Sequence, residues 1–169
     1  MLANVRRPQR IEPGPGQESV WDYPRPPRLE RTTRRLTVVH GGVTVADTTS
    51  GYRVLETSQP PAFYLPPADV RLDLLEPTTT RTFCEWKGLA SYWTIRVGEA
   101  VAVDAAWSYP EPDPRFGPIA GYLAFYPQRV DECRVDDEVV RPNEGGFYGG
   151  WVTSAVVGPF KGGAGTMGW

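Results

Sequence analysis

Cysteine, histidine and lysine are nearly missing from this sequence: two of the first, one of the second and two of the third in 169 residues. Cys84 and Cys133 form no CxxC, and with His40 alone beside them there are too few soft ligands for a closed four-ligand zinc site. A Cys84–Cys133 disulfide and two free core thiols both stay open, and a reducing cytosol favours the thiols. No apolar run approaches the ~20 residues of a membrane span, and the N-terminus lacks the apolar stretch of a signal peptide. The expected location is therefore the cytoplasm. Charge of one sign is lacking too: the net charge is −2 with a pI near 5.5. No global field recruits nucleic acid or an anionic membrane. Sixteen of the eighteen basic residues are arginine, which makes Lys87, the one lysine of the central segment, stand out.

Glycine and proline, by contrast, are abundant. Eighteen of each occur, roughly a fifth of the chain against an average near 12%, and no helical periodicity survives over a dozen residues. Hydrophobic residues at 40% and aromatics at 12% still supply a core. Three zones separate. Residues 1–31 form a Pro/Arg-rich extended arm carrying Val20, Trp21 and Tyr23, which are expected to dock on the domain or on a neighbouring subunit. Residues 32–140 form the domain. Residues 141–169 form a glycine-rich tail set with aromatics, an extended segment that packs closely on its own domain or clasps a partner.

Within the domain, short β-rich runs recur between turn signals, mostly 8–12 residues apart, which predicts an all-β fold of small antiparallel sheets. Gly41-Gly42 and Gly98-Glu99 mark two tight hairpins. Strand-like runs include 52–57, 62–65, 71–76, 80–86, 91–97, 100–108 and 122–126, with helical turns only near Pro67–Val70 and Pro118–Gly121. Taking Gly98-Glu99 as a two-residue loop pairs Tyr92 with Ala105, Trp93 with Asp104 and Trp107 with Ala90.

The chemistry-bearing residues gather around that hairpin. In FCEWKGLASYW (83–93) small residues let the chain bend while rings stand to either side, and Lys87 lies beside Trp86. A lysine so placed contacts an anion, makes a cation–π contact or acts covalently; otherwise its stem covers an apolar edge with its head in water. Trp107 and Tyr109 share one strand face by period two, and Glu111 falls on the rim of whatever they line. Trp86, Lys87, Tyr92, Trp107 and Tyr109 thus converge at one sheet end as an aromatic-walled pocket with a cation and a carboxylate. Glu56, on YRVLET, is expected to pair structurally with Arg71 or Arg81, or else to serve as a catalytic carboxylate. His40 has no evident partner acid and is expected at the surface. Ser91 and Ser108 lack a nucleophile elbow, GGAGTMG is not a phosphate loop, and neither a metal nor a cofactor is implied.

In order along the chain, GGVTVADT, YRVLET, PPAFYLPPADVRLDLLEPT, TFCEWKGLASYWTIRVG, AAWSYPEPDP and IAGYLAFYPQRVD resemble the DUF427 domain family over about residues 34–135. A nucleotidyltransferase-like label is sometimes attached to that family, but no metal-binding carboxylates or phosphate cradle are visible here to support it. The resemblance implies a β-tent-like fold, two small antiparallel sheets meeting at an angle. Relatives of that fold include zinc-binding and aromatic-cage domains; this chain lacks the paired CxxC knuckles, and Trp86, Trp93 and Trp107 are its cage candidates. The leading functional expectation is a small-ligand-binding domain, with Trp86, Lys87, Tyr92, Trp107, Tyr109, Glu111 and Glu56 at the site. The alternatives are an enzyme acting on a sugar or nucleotide-like metabolite, with Glu56 or Glu111 as acid/base and Lys87 as electrophilic stabiliser, and an interaction module whose arms build a homodimer.

Overall fold

A computed structural model describes residues 7–169, so the first six residues of the N-terminal arm lie outside it. The fold is all-β. A long four-stranded antiparallel sheet carries Leu75–Cys84, Gly88–Val97, Ala100–Ser108 and the short Ala124–Phe125. A second four-stranded sheet orders Glu138–Val139, Glu132–Val135, Leu36–His40 and Val43–Thr48, and a three-stranded sheet orders Arg28–Thr32, Gly51–Leu55 and Ala62–Tyr64. Helix among the described residues is confined to four 3-10 segments, one at the predicted Pro67–Val70 turn (Pro67–Asp69) and one, Pro114–Ile119, that starts four residues before the predicted Pro118–Gly121 turn and only overlaps it. Leu72–Leu74, expected as strand, is a further 3-10 turn, and the strand begins at Leu75.

Both glycine-marked hairpins form. Gly41 and Gly42 take φ of +57° and +75°, as two consecutive left-handed turn positions demand. Past Gly98 the pairing starts in the expected register, Val97 with Ala100 and Ile95 with Ala102, and then jumps. Trp93 faces Ala106, not Asp104, and Tyr92 faces Trp107, not Ala105. A bulge absorbs two residues, with Asp104 at φ +49°. Its carboxylate accepts from the hydroxyls of Thr78 and Thr80, each at 2.7 Å, and its N–H donates to Thr94 Oγ1 at 3.2 Å. Thr78–Thr80 themselves sit in an interruption of the neighbouring strand pair. The two irregularities therefore satisfy each other's polar groups. Shifting by two residues preserves which face each side chain occupies and brings Trp107 directly beside Tyr92.

The core follows from those faces. Leu36, Val38, Leu65, Ile95, Phe125 and Cys133 are buried in one apolar cluster that Trp93 also packs against. Tyr64, Tyr92, Trp107, Tyr109 and Tyr126 form a second cluster, with Trp86 and Cys84 packed on it. Trp93, with its Nε1 donating to Ser108 Oγ, thus leaves the group of cage candidates.

Both arms pack on their own chain. Glu18–Ser19 pairs in parallel with Val156–Val157, and Val20 is fully buried against Tyr23, Leu55 and Val156. Trp21 Nε1 donates to the Pro159 carbonyl at 2.9 Å. Trp151, 1% exposed, donates from Nε1 to the Phe125 carbonyl and lies 5.1 Å from the Phe63 ring. The Arg53 guanidinium ties the N-terminal arm down by donating to Glu18 at 2.6 and 3.1 Å and to Glu30 at 2.7 and 3.0 Å. The hydrogen bond from Arg53 outweighs burial and holds the Glu18 carboxyl below the ordinary carboxylate range. A depressed folded-state pKa contributes stability that is present at neutral pH and lost as pH falls through that value. The urea midpoint is accordingly expected to drop on acidification below about pH 4, and to drop less steeply in Glu18→Gln. Identical pH profiles for the two proteins would show that the pair does not couple to folding.

Candidate functional site

The turn Glu85–Trp86–Lys87 joins the two longest strands, and its shape is set by Gly88 at φ +106° and by the Asp113 N–H, which donates to the Lys87 carbonyl at 2.9 Å. The turn therefore folds Lys87 inward over the second aromatic cluster. Above that cluster lies a cavity of 280 Å³. Tyr64, Tyr92, Trp107, Tyr109 and Tyr126 form its inner wall, and Trp86, Cys84 and Lys87 stand beside them. Trp107 Nε1 donates to the Tyr64 hydroxyl at 3.1 Å, and the two rings meet edge to face at 6.2 Å. Trp107 and Tyr126 lie 4.6 Å apart, while Tyr92 joins the hydroxyls of Thr82 (2.9 Å) and Tyr126 (3.4 Å). This network locks the rings in place.

Six of the seven residues singled out in the sequence line this cavity: Glu56, Trp86, Lys87, Tyr92, Trp107 and Tyr109. Glu111 does not; it is exposed and outside the lining, because the chain after Tyr109 turns away into the 3-10 segment at Pro114. Glu56 is there with different partners from those expected. It lies 3.8 Å from Arg25 Nε and accepts from Gln59 Nε2 at 3.0 Å, while Arg71 pairs with Asp73 and Arg81 donates to the Thr78 and Thr80 carbonyls. His40 is likewise corrected: it is 7% exposed, with Nδ1 3.6 Å from Asp131 Oδ1, because the hairpin folds it inward. Both cysteines are free, Cys133 in the core and Cys84 half-buried in the cavity.

Several contributors escaped the sequence reading. Tyr64 comes from the three-stranded sheet and Tyr126 follows the short edge strand. Tyr148, Gly149, Gly150 and Lys161 come from the tail. Gly149 lies so close to Trp107 that a Cβ there would collide with its ring, which is how the tail closes one side. Lys161 is held by its own backbone, its N–H donating to the Ser58 carbonyl at 2.8 Å and its carbonyl accepting from Asn143 Nδ2 at 2.9 Å. The usable signal was arithmetic: the chain's only two lysines line one cavity.

Lys87 is 8% exposed and, among the described residues, forms no ion pair. Its ammonium lies 5.6 Å from the Tyr109 ring centroid. Burial acts to lower its pKa, but the groups around it, the Glu56 carboxylate and a hydrogen bond with Cys84 among them, outweigh that, so the value rises and the group is a cation at neutral pH. Burial pushes the Tyr64, Tyr109 and Tyr126 phenols up, keeping all three neutral. A larger, open concavity of 800 Å³ lies between the N-terminal arm and the second sheet. Its lining carries the ion pairs of Arg53 with Glu18 and Glu30 and of Arg34 with Asp136, beside Arg31, Asp137 and Glu138, so acids are in excess there. Burial, not size, picks the site: Lys87 is the one Lys, Arg, Asp or Glu among the described residues that is buried. Among the described residues no group of three or more His, Cys, Asp or Glu side chains is placed to hold a metal ion, and no helix is long and apolar enough to cross a membrane.

No curated protein matches this chain. The family model of the domain of unknown function DUF427 matches residues 28–136, which contain Lys87 and the rings of Tyr64, Trp86, Tyr92, Trp107, Tyr109 and Tyr126, and the chain is a member of the DUF427 family.

Proposed function

We propose that the protein binds a small ligand in the aromatic-walled cavity at Lys87. The observation that carries this is a buried ammonium that forms no ion pair among the described residues, set among rings that are already mutually hydrogen-bonded. A buried charge is retained against its desolvation cost when something outside the chain matches it. Binding fits better than catalysis because Glu56 is engaged by Arg25 and Gln59, and Glu111 lies elsewhere. The test is a thermal-shift screen of a metabolite library on the full chain. Some compounds are expected to raise Tm by several degrees, to lose that effect in Tyr148→Ala, which opens one wall, and to keep it in Glu76→Gln, an exposed residue outside the cavity. A library that yields no stabiliser, or stabilisers indifferent to Tyr148→Ala, would sink this function.

A further inference from the structure

The cavity's cations indicate what kind of ligand it takes. Sixteen arginines are distributed over the chain, yet none of those among the described residues lines this cavity, whereas both lysines do. Arginine offers a flat multi-donor fork suited to phosphate and to bidentate pairing; lysine offers a compact point charge on a flexible stem. Phosphate sites draw on arginine forks, on helix N-termini or on a lysine backed by a cradle of backbone N–H groups; among the described residues the cavity has lysines but neither an arginine nor a helix N-terminus beside them. Within it the phenols are neutral, and Glu56 is engaged by Arg25 and Gln59. Lys87 faces the cavity and, among the described residues, forms no ion pair, while the cavity's two carboxylates are Glu56, which is held by Arg25 and Gln59, and the exposed Glu85.

The walls add shape. Trp107, Tyr109 and Trp86 line the space, and aromatic walls favour flat partners that stack or meet edge to face. A dry cavity of about 150 Å³ accommodates benzene. The 280 Å³ here thus suits a ligand of about a dozen non-hydrogen atoms by the same scale, one ring with a short substituent and less than a whole nucleotide. We infer that the cavity takes a small planar-ring carboxylate, its carboxylate on Lys87 and its ring against the Trp107–Tyr109 wall. Lys161 supplies a second positive charge from the tail, beyond the segment that the family model matches. This rests on the small-ligand reading and narrows it to one chemical class.

Calorimetric titration of the full chain with benzoate and cinnamate tests the assignment. Benzamide serves as the uncharged isostere, cyclohexanecarboxylate as the non-planar acid and inorganic phosphate as the other anion. Benzoate is expected to bind at least tenfold more tightly than benzamide and cyclohexanecarboxylate, and phosphate not to compete. Lys87→Met and Lys87→Gln are each expected to reduce benzoate affinity to the benzamide level, and Lys161→Met to reduce it about threefold. The benzoate-to-benzamide ratio in the unaltered chain needs no variant, so a misfolded substitution does not remove the test. Equal affinity for benzoate and benzamide, benzoate binding unchanged in both Lys87 variants, or displacement of benzoate by phosphate would each overturn the carboxylate class. If none of these probes binds while library compounds still stabilise the chain through the same wall, the class falls and small-ligand binding stands. If neither probes nor library members bind, both fall together.

Discussion

Trp151→Ala is expected to remove about 3–5 kcal/mol of folding stability, a large share of the ~5–15 kcal/mol that most domains possess. Trp151 is 1% exposed, packs on Phe63 and fills the main core from outside the family-matched segment. Its loss leaves a cavity and also deprives the Phe125 carbonyl of its indole donor. Thermal unfolding followed by circular dichroism should show Tm falling by on the order of 10 °C, given roughly 2–4 °C per kcal/mol at this chain length. Trp169→Ala is the comparison, since Trp169 is only partly buried and meets Trp21 at the surface; it should shift Tm far less. A Trp151→Ala variant within a degree or two of the unaltered protein would mean that the tail contributes little to the core. The same reasoning predicts that a fragment of residues 28–136 does not fold stably by itself. It lacks Trp151 and also Val20, which is fully buried against Leu55.

Lys87→Met is expected to move stability in the other direction. An ammonium that is 8% exposed and without an ion-pair partner among the described residues imposes a desolvation cost that an unbranched apolar side chain of similar length does not. Replacing a buried ion pair with well-packed apolar groups is neutral or stabilising by roughly 1–4 kcal/mol in known cases, and a single buried ammonium carries a desolvation cost of the same kind. A gain of about 1–2 kcal/mol, or on the order of 5 °C in Tm, is the expected result here. Binding of benzoate should vanish in the same protein. More stability with less binding is the mark of a residue kept for a ligand. A lysine kept for the fold behaves oppositely: Lys87→Met would then lower Tm, as a lost cation–π contact with Tyr109 and a lost contact with Cys84 would dictate. Differential scanning calorimetry of the ligand-free proteins separates the two outcomes by sign.

Much of this architecture is readable from residues close in sequence. Gly41-Gly42 and Gly98-Glu99 announce their hairpins because their conformations are local. Period-two spacing puts Trp107 and Tyr109 on one face without reference to anything distant. Whatever depends on distant partners is not readable in this way. The bulge at Asp104 exists because Thr78 and Thr80, on another strand, complete its hydrogen bonds, and no pattern within 100–108 signals that. Leu72–Leu74 reads as strand by composition, yet it turns, and the Leu74 N–H donates to the Arg71 carbonyl. Arg25 reaches Glu56 only because the N-terminal arm folds back, and Asp131 meets His40 across the sheet. Lys161 was visible as a rare residue type, but its place at the cavity follows from Gly149 and Gly150 bringing the tail flush against Trp107 and Pro60.

The parallel pairing of Glu18–Ser19 with Val156–Val157 has a consequence for synthesis. A strand made near the start waits for one made well over a hundred residues later, so Val20 cannot be buried while the chain is still being elongated through the central sheets. At about 5–20 residues per second that wait lasts on the order of ten seconds. Val20 lacks Val156 and Trp21 lacks the Pro159 carbonyl for that interval, and the arginines and prolines around them discourage association between nascent chains. The same composition that makes the arm look like an appendage suits a core segment that arrives early and is buried late.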